Sequence, residues 1–282
     1  MAIDFKPKLL LSEISMFIII QVLALLVGYR LISTQQIDYL PATQAIWTFL
    51  AAMIVATILL FVFLKYFKGP TSSKLFFALI LFVGVNIVFE AFFPALIAFI
   101  LTAFMVGARF LKPNVFTHNL VFFLALAGVG ARLGTMIPIV AAIILLIILS
   151  VYDFIAVFKT KHMVTMFKGM LQSGIPMGII ITEDPMQLTH DVGKVSATKL
   201  RQTKKSSDFI MLGGGDLAFP ALFGVAALAQ FGLVQALGVI IGAVGGIVLI
   251  HWLIIQKKFK ALPALPPIAA FSILGFLISL LL

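Results

Sequence analysis

The sequence predicts an all-α polytopic membrane protein with nine transmembrane helices, and three observations carry that prediction. Hydrophobic residues make up 62% of the 282 and charged residues only 11%, where soluble domains carry about a quarter charged; the mean hydropathy is +1.21. Apolar runs near the roughly 20 residues needed to cross a bilayer take up almost the whole chain, which leaves no room for a soluble domain. The basic residues fall in alternate connections, so that of the twenty Lys and Arg only Arg30 and Arg132 lie opposite the rest.

The nine runs are roughly Leu9 to Ile32, Ala45 to Tyr66, Ser73 to Phe93, Ala95 to Phe110, His118 to Met136, Pro138 to Phe158, Asp208 to Ala229, Leu233 to Ile255 and Leu262 to Leu282. Pro41, Pro70, Pro94, Pro113 and Pro138 fall between runs or at their starts, where a missing N–H costs little. The positive-inside rule then places the N-terminus in the cytoplasm and the C-terminus outside, and requires an odd number of spans. The net charge of +10 is accordingly topological, and nucleic acid is not an expected partner. The first run is followed by many others and shows no small-residue cleavage site, so it reads as a mature helix. Cysteine is absent, which excludes disulfides, thiolate metal sites and cysteine nucleophiles.

The domain organisation expected is a single membrane-embedded unit over 1–282: helices one to six over 1–158, a cytoplasmic loop over 159–207 and helices seven to nine over 208–282. In the loop, "KHMVTMFKGMLQS" spaces Met163, Met166, Phe167, Met170 and Leu171 along one helical face and reads as interfacial. "IPMGIIIT", Ile175 to Thr182, is a β-favouring run too short to span. The remainder, from Glu183 to Ser207, is polar.

Four acids fall within spans, where an ionisable side chain is a functional candidate by default. Glu13 lies beside the flanking lysines and Glu90 beside the outer boundary, and both read as interfacial. Asp153 lies six residues before Lys159 and Asp216 eight after Asp208, depths of about 9 and about 12 Å from the same face. These two acids come from consecutive, oppositely directed helices, so they can face each other. Two carboxylates sharing a site of low dielectric cannot both ionise; one keeps a proton and the other serves as a base. That condition suits an aspartic protease. It equally suits a proton or sodium relay, and spacing alone also leaves a structural pair open.

Glycines 213 to 215 remove side chains beside Asp216, and Pro220 removes the hydrogen bond to the Asp216 carbonyl, so water and an extended peptide gain access. By contrast Gly238, Gly242 and Gly246 recur at four-residue spacing with no acid and read as a close helix contact. "ALPALPP", Ala261 to Pro267, opens the last helix.

Taken together, "YDFIAVF" from Tyr152, "GGGD" from Gly213 to Asp216 and "PAL" from Pro263 to Leu265 resemble, in this order, the motifs of the GxGD intramembrane aspartyl proteases, the presenilin and signal peptide peptidase family. The nine spans and long cytoplasmic loop are similar as well, and the short chain looks most like a small archaeal presenilin homologue. The resemblance implies that Asp153 and Asp216 are the catalytic pair, that Tyr152, Gly213, Gly214 and Gly215 shape the site, and that Pro263, Ala264 and Leu265 pack beside it. It implies transmembrane peptide or protein substrates, a lipid environment, the prokaryotic plasma membrane and no cofactor. The N-in orientation favours the presenilin branch. No obligatory partner subunit is evident, and self-association stays open.

The competing class is an ion-coupled transporter or channel, which predicts inverted repeats and polar residues along a path; no repeat is evident, and the outer half offers little beyond Asn86, Glu90 and Arg132. His118, His162, His190 and His251 show no pair at ligand spacing, so no metal is expected. No serine stands in register with a base.

Overall fold

The computed structural model describes residues 7–34, 40–66, 70–160, 178–182, 188–190, 209–255 and 263–282. Among them the helices are α1 (Pro7–Thr34), α2 (Ala42–Tyr66), α3 (Pro70–Glu90), α4 (Ala95–Leu111), α5 (Val115–Met136), α6 (Ile139–Ile155), α7 (Gly214–Gln230), α8 (Leu233–Ile255) and α9 (Leu265–Ser279). Among the described residues five stretches are long and apolar enough to cross a membrane: Pro7–Thr34, Ala42–Leu59, Val115–Met136, Ile139–Phe158 and Leu233–Leu253. The helices α4, α7 and α9 are apolar but shorter. The protein is thus a polytopic helical membrane protein. The interfacial helix expected near Met163 to Leu171 and most of the polar loop lie outside the described residues.

The sequence marks the helix starts clearly. Pro94 and Pro138 occupy the N-cap positions of α4 and α6, and Asn114 caps α5 by accepting from the Thr117 amide at 2.8 Å. An uncapped helix start leaves backbone donors unsatisfied, and a short polar side chain remedies one of them. Beyond α7 the chain turns sharply at Gly232, whose φ of 108° lies in the region that favours glycine.

α7 is the central helix because its residues are apolar on every side and mostly small. Its run from Pro220 to Ala227 is buried throughout. Close approach comes from glycines on its neighbours: a Cβ at Gly130 of α5 would stand 2.8 Å from Ala221 Cβ, and one at Gly28 of α1 would stand 2.6 Å from Val225 Cγ1. The four-residue glycine row of α8 makes the close contact its spacing predicts, since a Cβ at Gly238 would lie 2.6 Å from the Gly275 carbonyl oxygen and one at Gly246 2.6 Å from Ile268 Cα, both on α9.

The helices α6 and α7 are tied at one end by Gln230, whose Oε1 accepts from the Ile139 amide at 3.0 Å and so caps α6 from the last residue of α7. Gln230→Ala is expected to cost about 1 kcal/mol, read as a lower midpoint of thermal unfolding in detergent.

The structure corrects the sequence reading in one region. A helix from Asp208 to Ala229 is expected; instead Phe209–Gly213 forms a strand, β2, and α7 starts only at Gly214. β2 pairs antiparallel with β1 (Gly178–Thr182), with Ile180 opposite Met211 and Gly178 opposite Gly213. Helical hydropathy does not separate the two, since "FIML" is as apolar as a span. The three isoleucines of β1 are buried, and such β-branched side chains favour a strand in an enclosed apolar setting. The fold is therefore helical with a small added sheet, and the α6 helix ends in a π-helical turn over Ala156–Thr160 instead of running evenly to Phe158.

Candidate active site

Asp153 stands in the last turn of α6 and is buried. Its Oδ2 accepts from the Leu265 amide at 3.3 Å. Leu265 is the first residue of α9, and helix starts carry amides with no partner inside the helix. Pro266 and Pro267 follow it and have no N–H. The first turn of α9 therefore aims the Leu265 amide at Asp153 with no competing donor from the next two residues.

Asp216 occupies the third position of α7, and the backbone amide of its N-cap, Gly213, donates to its carboxylate. This is the reciprocal half of a capping box. It also sets the carboxylate at the positive end of the helix dipole. The glycines consequently do something other than loosen a helix midway: they sit where a strand becomes a helix. A Cβ at Gly213 would lie 3.0 Å from Asp216 Oδ2, whereas one at Gly215 would meet nothing nearer than the Phe219 ring at 3.4 Å. Gly213→Ala is expected to lower kcat about tenfold by displacing the carboxylate, and Gly215→Ala to stay within about twofold of wild type, measured as steady-state reporter cleavage.

Asp153 and Glu13 both lie within electrostatic reach of Asp216, so the two expected aspartates do come together. Asp216, Gly214 and Ala264 are partly exposed, Gly213 and Gly215 exposed, and Pro263 and Leu265 buried. Tyr152 is 62% exposed, so its ring is not part of the packed interior around Asp153.

Four polar contacts escape the sequence reading. Glu13 pairs with His251 Nδ1 at 3.1 Å across α1 and α8. The depth count that brings the two aspartates together would have found this pair, because Glu13 follows Lys8 by five residues and His251 precedes Lys257 by six. Gln21 of α1, 1% exposed, donates to the carbonyl of Leu217, the residue after Asp216, at 3.1 Å. His118 and Asn119 of α5 hold the backbone of β1. No sequence pattern marks the contacts of Gln21, His118 and Asn119, since each joins a single polar side chain to a distant backbone group. Among the described residues no group of His, Cys, Asp and Glu could hold a metal ion.

β2 leads straight into this site, and its orientation follows from β1. Ile180 gives both its N–H and its C=O to the Asn119 side chain, so in its antiparallel pairing with Met211 both residues turn their backbone groups away from each other. Met211 therefore presents N–H and C=O along the outer edge of β2, two residues before Gly213.

The structure thus gathers two acids, each held by a backbone amide at the end of an apolar helix, in one part of a membrane protein. The family model described as signal-peptide peptidase, presenilin aspartyl protease matches residues 14–282. The chain belongs to that family and is an intramembrane aspartic endopeptidase acting on transmembrane segments. In fold it is similar to a presenilin family intramembrane aspartate protease solved in the C222 and P2 space groups. TM-scores are 0.65 and 0.68, with 21% identity and 95% of this chain and 96% of the other covered in each case. No curated protein matches. The transporter alternative finds no support.

Proposed function

We propose that Asp153 and Asp216 are the catalytic pair. The observation that carries this reading is that each carboxylate is held by a backbone amide, from Leu265 and Gly213, while the two stand within electrostatic reach of each other. With one proton between them, the ionised carboxylate takes a proton from water and the hydroxide attacks the scissile carbonyl carbon, while the protonated one donates to the carbonyl oxygen. A proton then passes to the amide nitrogen as the C–N bond breaks, leaving a carboxylic acid and an amine. Gly213, Gly214 and Gly215 keep this approach open, Pro263, Ala264 and Leu265 wall it, and Tyr152 borders it on α6. The outer edge of β2 suits an extended substrate, supplying backbone hydrogen bonds that an unwound transmembrane helix would lose.

The whole chain acts as one membrane-embedded unit of nine spans, with its N-terminus in the cytoplasm of a prokaryotic plasma membrane, which fits substrates whose N-termini lie outside. The charge distribution supports this topology. The assignment of the pair is tested by incubating a single-span reporter peptide in liposomes with wild-type protein, Asp153→Asn and Asp216→Asn; retained cleavage in both variants would refute it. The cysteine-free chain makes Asp191→Cys a clean probe of topology. Labelling from the cytoplasmic face is expected, and labelling from outside would reverse the orientation.

A further inference from the structure

Apart from the two aspartates, a compact group of buried polar side chains lies at the corner joining α4 and α5. Arg109 is 4% exposed, His118 0% and Asn119 4%. Arg109 Nε donates to His118 Nδ1 at 3.0 Å. A guanidinium nitrogen can only donate, so Nδ1 carries no proton, and Nε2 donates to the Gly178 carbonyl at 2.9 Å. His118 is thus a neutral spacer in one tautomer. Asn119 does more: Nδ2 donates to the Ile180 carbonyl at 2.7 Å and Oδ1 accepts from the Ile180 amide at 3.0 Å. One side-chain amide does for Ile180 what a neighbouring strand would do. The same corner holds a further loop residue, since the Val115 amide donates to the His190 carbonyl at 3.1 Å.

We propose that His118 and Asn119 are positioning residues that set which substrate bond is cut. Strand register is ordinarily specified by an apolar pattern that a one-residue slip would turn inside out. β1 cannot use that device, because Ile179, Ile180 and Ile181 are the same residue and all are buried. A slip would exchange one isoleucine for another at little cost in burial. Directional polar contacts must then fix the register, and these are the contacts to Gly178 and Ile180. Register passes onward from there: Ile180 opposite Met211 and Gly178 opposite Gly213 set β2, Gly213 is the N-cap of α7, and Asp216 follows three residues later. This inference rests on the reading of Asp153 and Asp216 as the catalytic pair and of the outer β2 edge as the substrate edge. Without the two contacts β2 loses its fixed placement, and a substrate on its edge adopts more than one registration against Asp216.

The test reads product masses as well as rates, using the full chain in liposomes and a single-span reporter peptide. Asn119→Asp keeps the acceptor for the Ile180 amide but faces its carbonyl with a second acceptor. His118→Phe keeps the ring volume and removes both hydrogen bonds, while His118→Gln keeps a donor for Gly178. Asn119→Asp and His118→Phe are expected to spread cleavage from one dominant bond over its neighbours and to lower kcat/KM about tenfold, and His118→Gln to restore the dominant bond. Should either disruptive variant fail to fold, judged by thermal unfolding, the other is decisive. Unchanged product ratios in a folded variant, with or without a uniform loss of rate, would overturn the inference. A wild-type protein that cuts nothing, or cutting that survives both aspartate substitutions, would instead overturn the assignment of the catalytic pair.

Discussion

Asp216→Asn and Asp153→Asn are each expected to lower cleavage of a single-span reporter by at least about 10³-fold, with helix content and elution volume unchanged. An amide preserves volume and can still accept from the Gly213 or Leu265 amide, so the packing around either helix start has no reason to change. It cannot take a proton from water or return one to a leaving amine, and both transfers lie in the transition state. Residues acting as a unit are not additive, so the double variant should be little worse than either single one. The proposed mechanism needs the pair singly protonated, hence kcat/KM should fall on both sides of an optimum pH. A reporter cleaved at a tenth of the wild-type rate by either variant would show that the side chain positions the substrate and does no proton transfer.

Gly242→Leu is expected to abolish cleavage by a different route. A Cβ at Gly242 would run into the Phe271 carbonyl oxygen and stand 2.8 Å from the Phe271 carbonyl carbon. Those are backbone atoms, which no rotamer change can move. The whole of α9 must shift, and with it the Leu265 amide that holds Asp153. Overpacking of a close contact costs about 1–3 kcal/mol or more, and a displacement near 1 Å at the site costs about 10² in rate. The protein should remain helical by circular dichroism while losing activity and thermal stability together. Retention of wild-type activity would mean that α9 can move without carrying Leu265 along. Gly224→Leu makes a useful contrast, because its Cβ would find only Leu25 at 3.7 Å and Val239 at 3.9 Å, so the strain there comes from the longer side chain alone.

Much of this architecture is legible in the chain itself, because a membrane leaves few options for a backbone: apolar helices long enough to span, with prolines at their starts. Counting back from one membrane face puts Asp153 and Asp216 in the same part of the molecule, although the count to Asp216 runs over residues that form a strand. The α8–α9 contact follows from glycines at four-residue spacing. What hydropathy could not resolve was the strand at Phe209–Gly213, since an apolar residue in a bilayer reads alike as strand or helix. That error also misplaced Asp216, which stands in the first turn of its helix and not two turns within it. The polar contacts of Gln21, His118 and Asn119 were hidden for a simpler reason. Each meets a backbone group far away in sequence, and a backbone carbonyl carries no residue-specific signal.

The bond between Gln230 and the start of α6 has a mechanical consequence. It joins α6 and α7 at the end remote from the two carboxylates, so the pair behaves as a lever fixed at one end. Asp153 lies fourteen residues along α6 from Ile139, about 21 Å from the fulcrum. A tilt of roughly three degrees between the helices then displaces its carboxylate by about 1 Å, which is the scale on which turnover is lost. Spans tilt to match the thickness of the surrounding hydrocarbon. Lipid chain length is therefore expected to act on the distance between the two acids, read as reporter cleavage in liposomes of graded thickness.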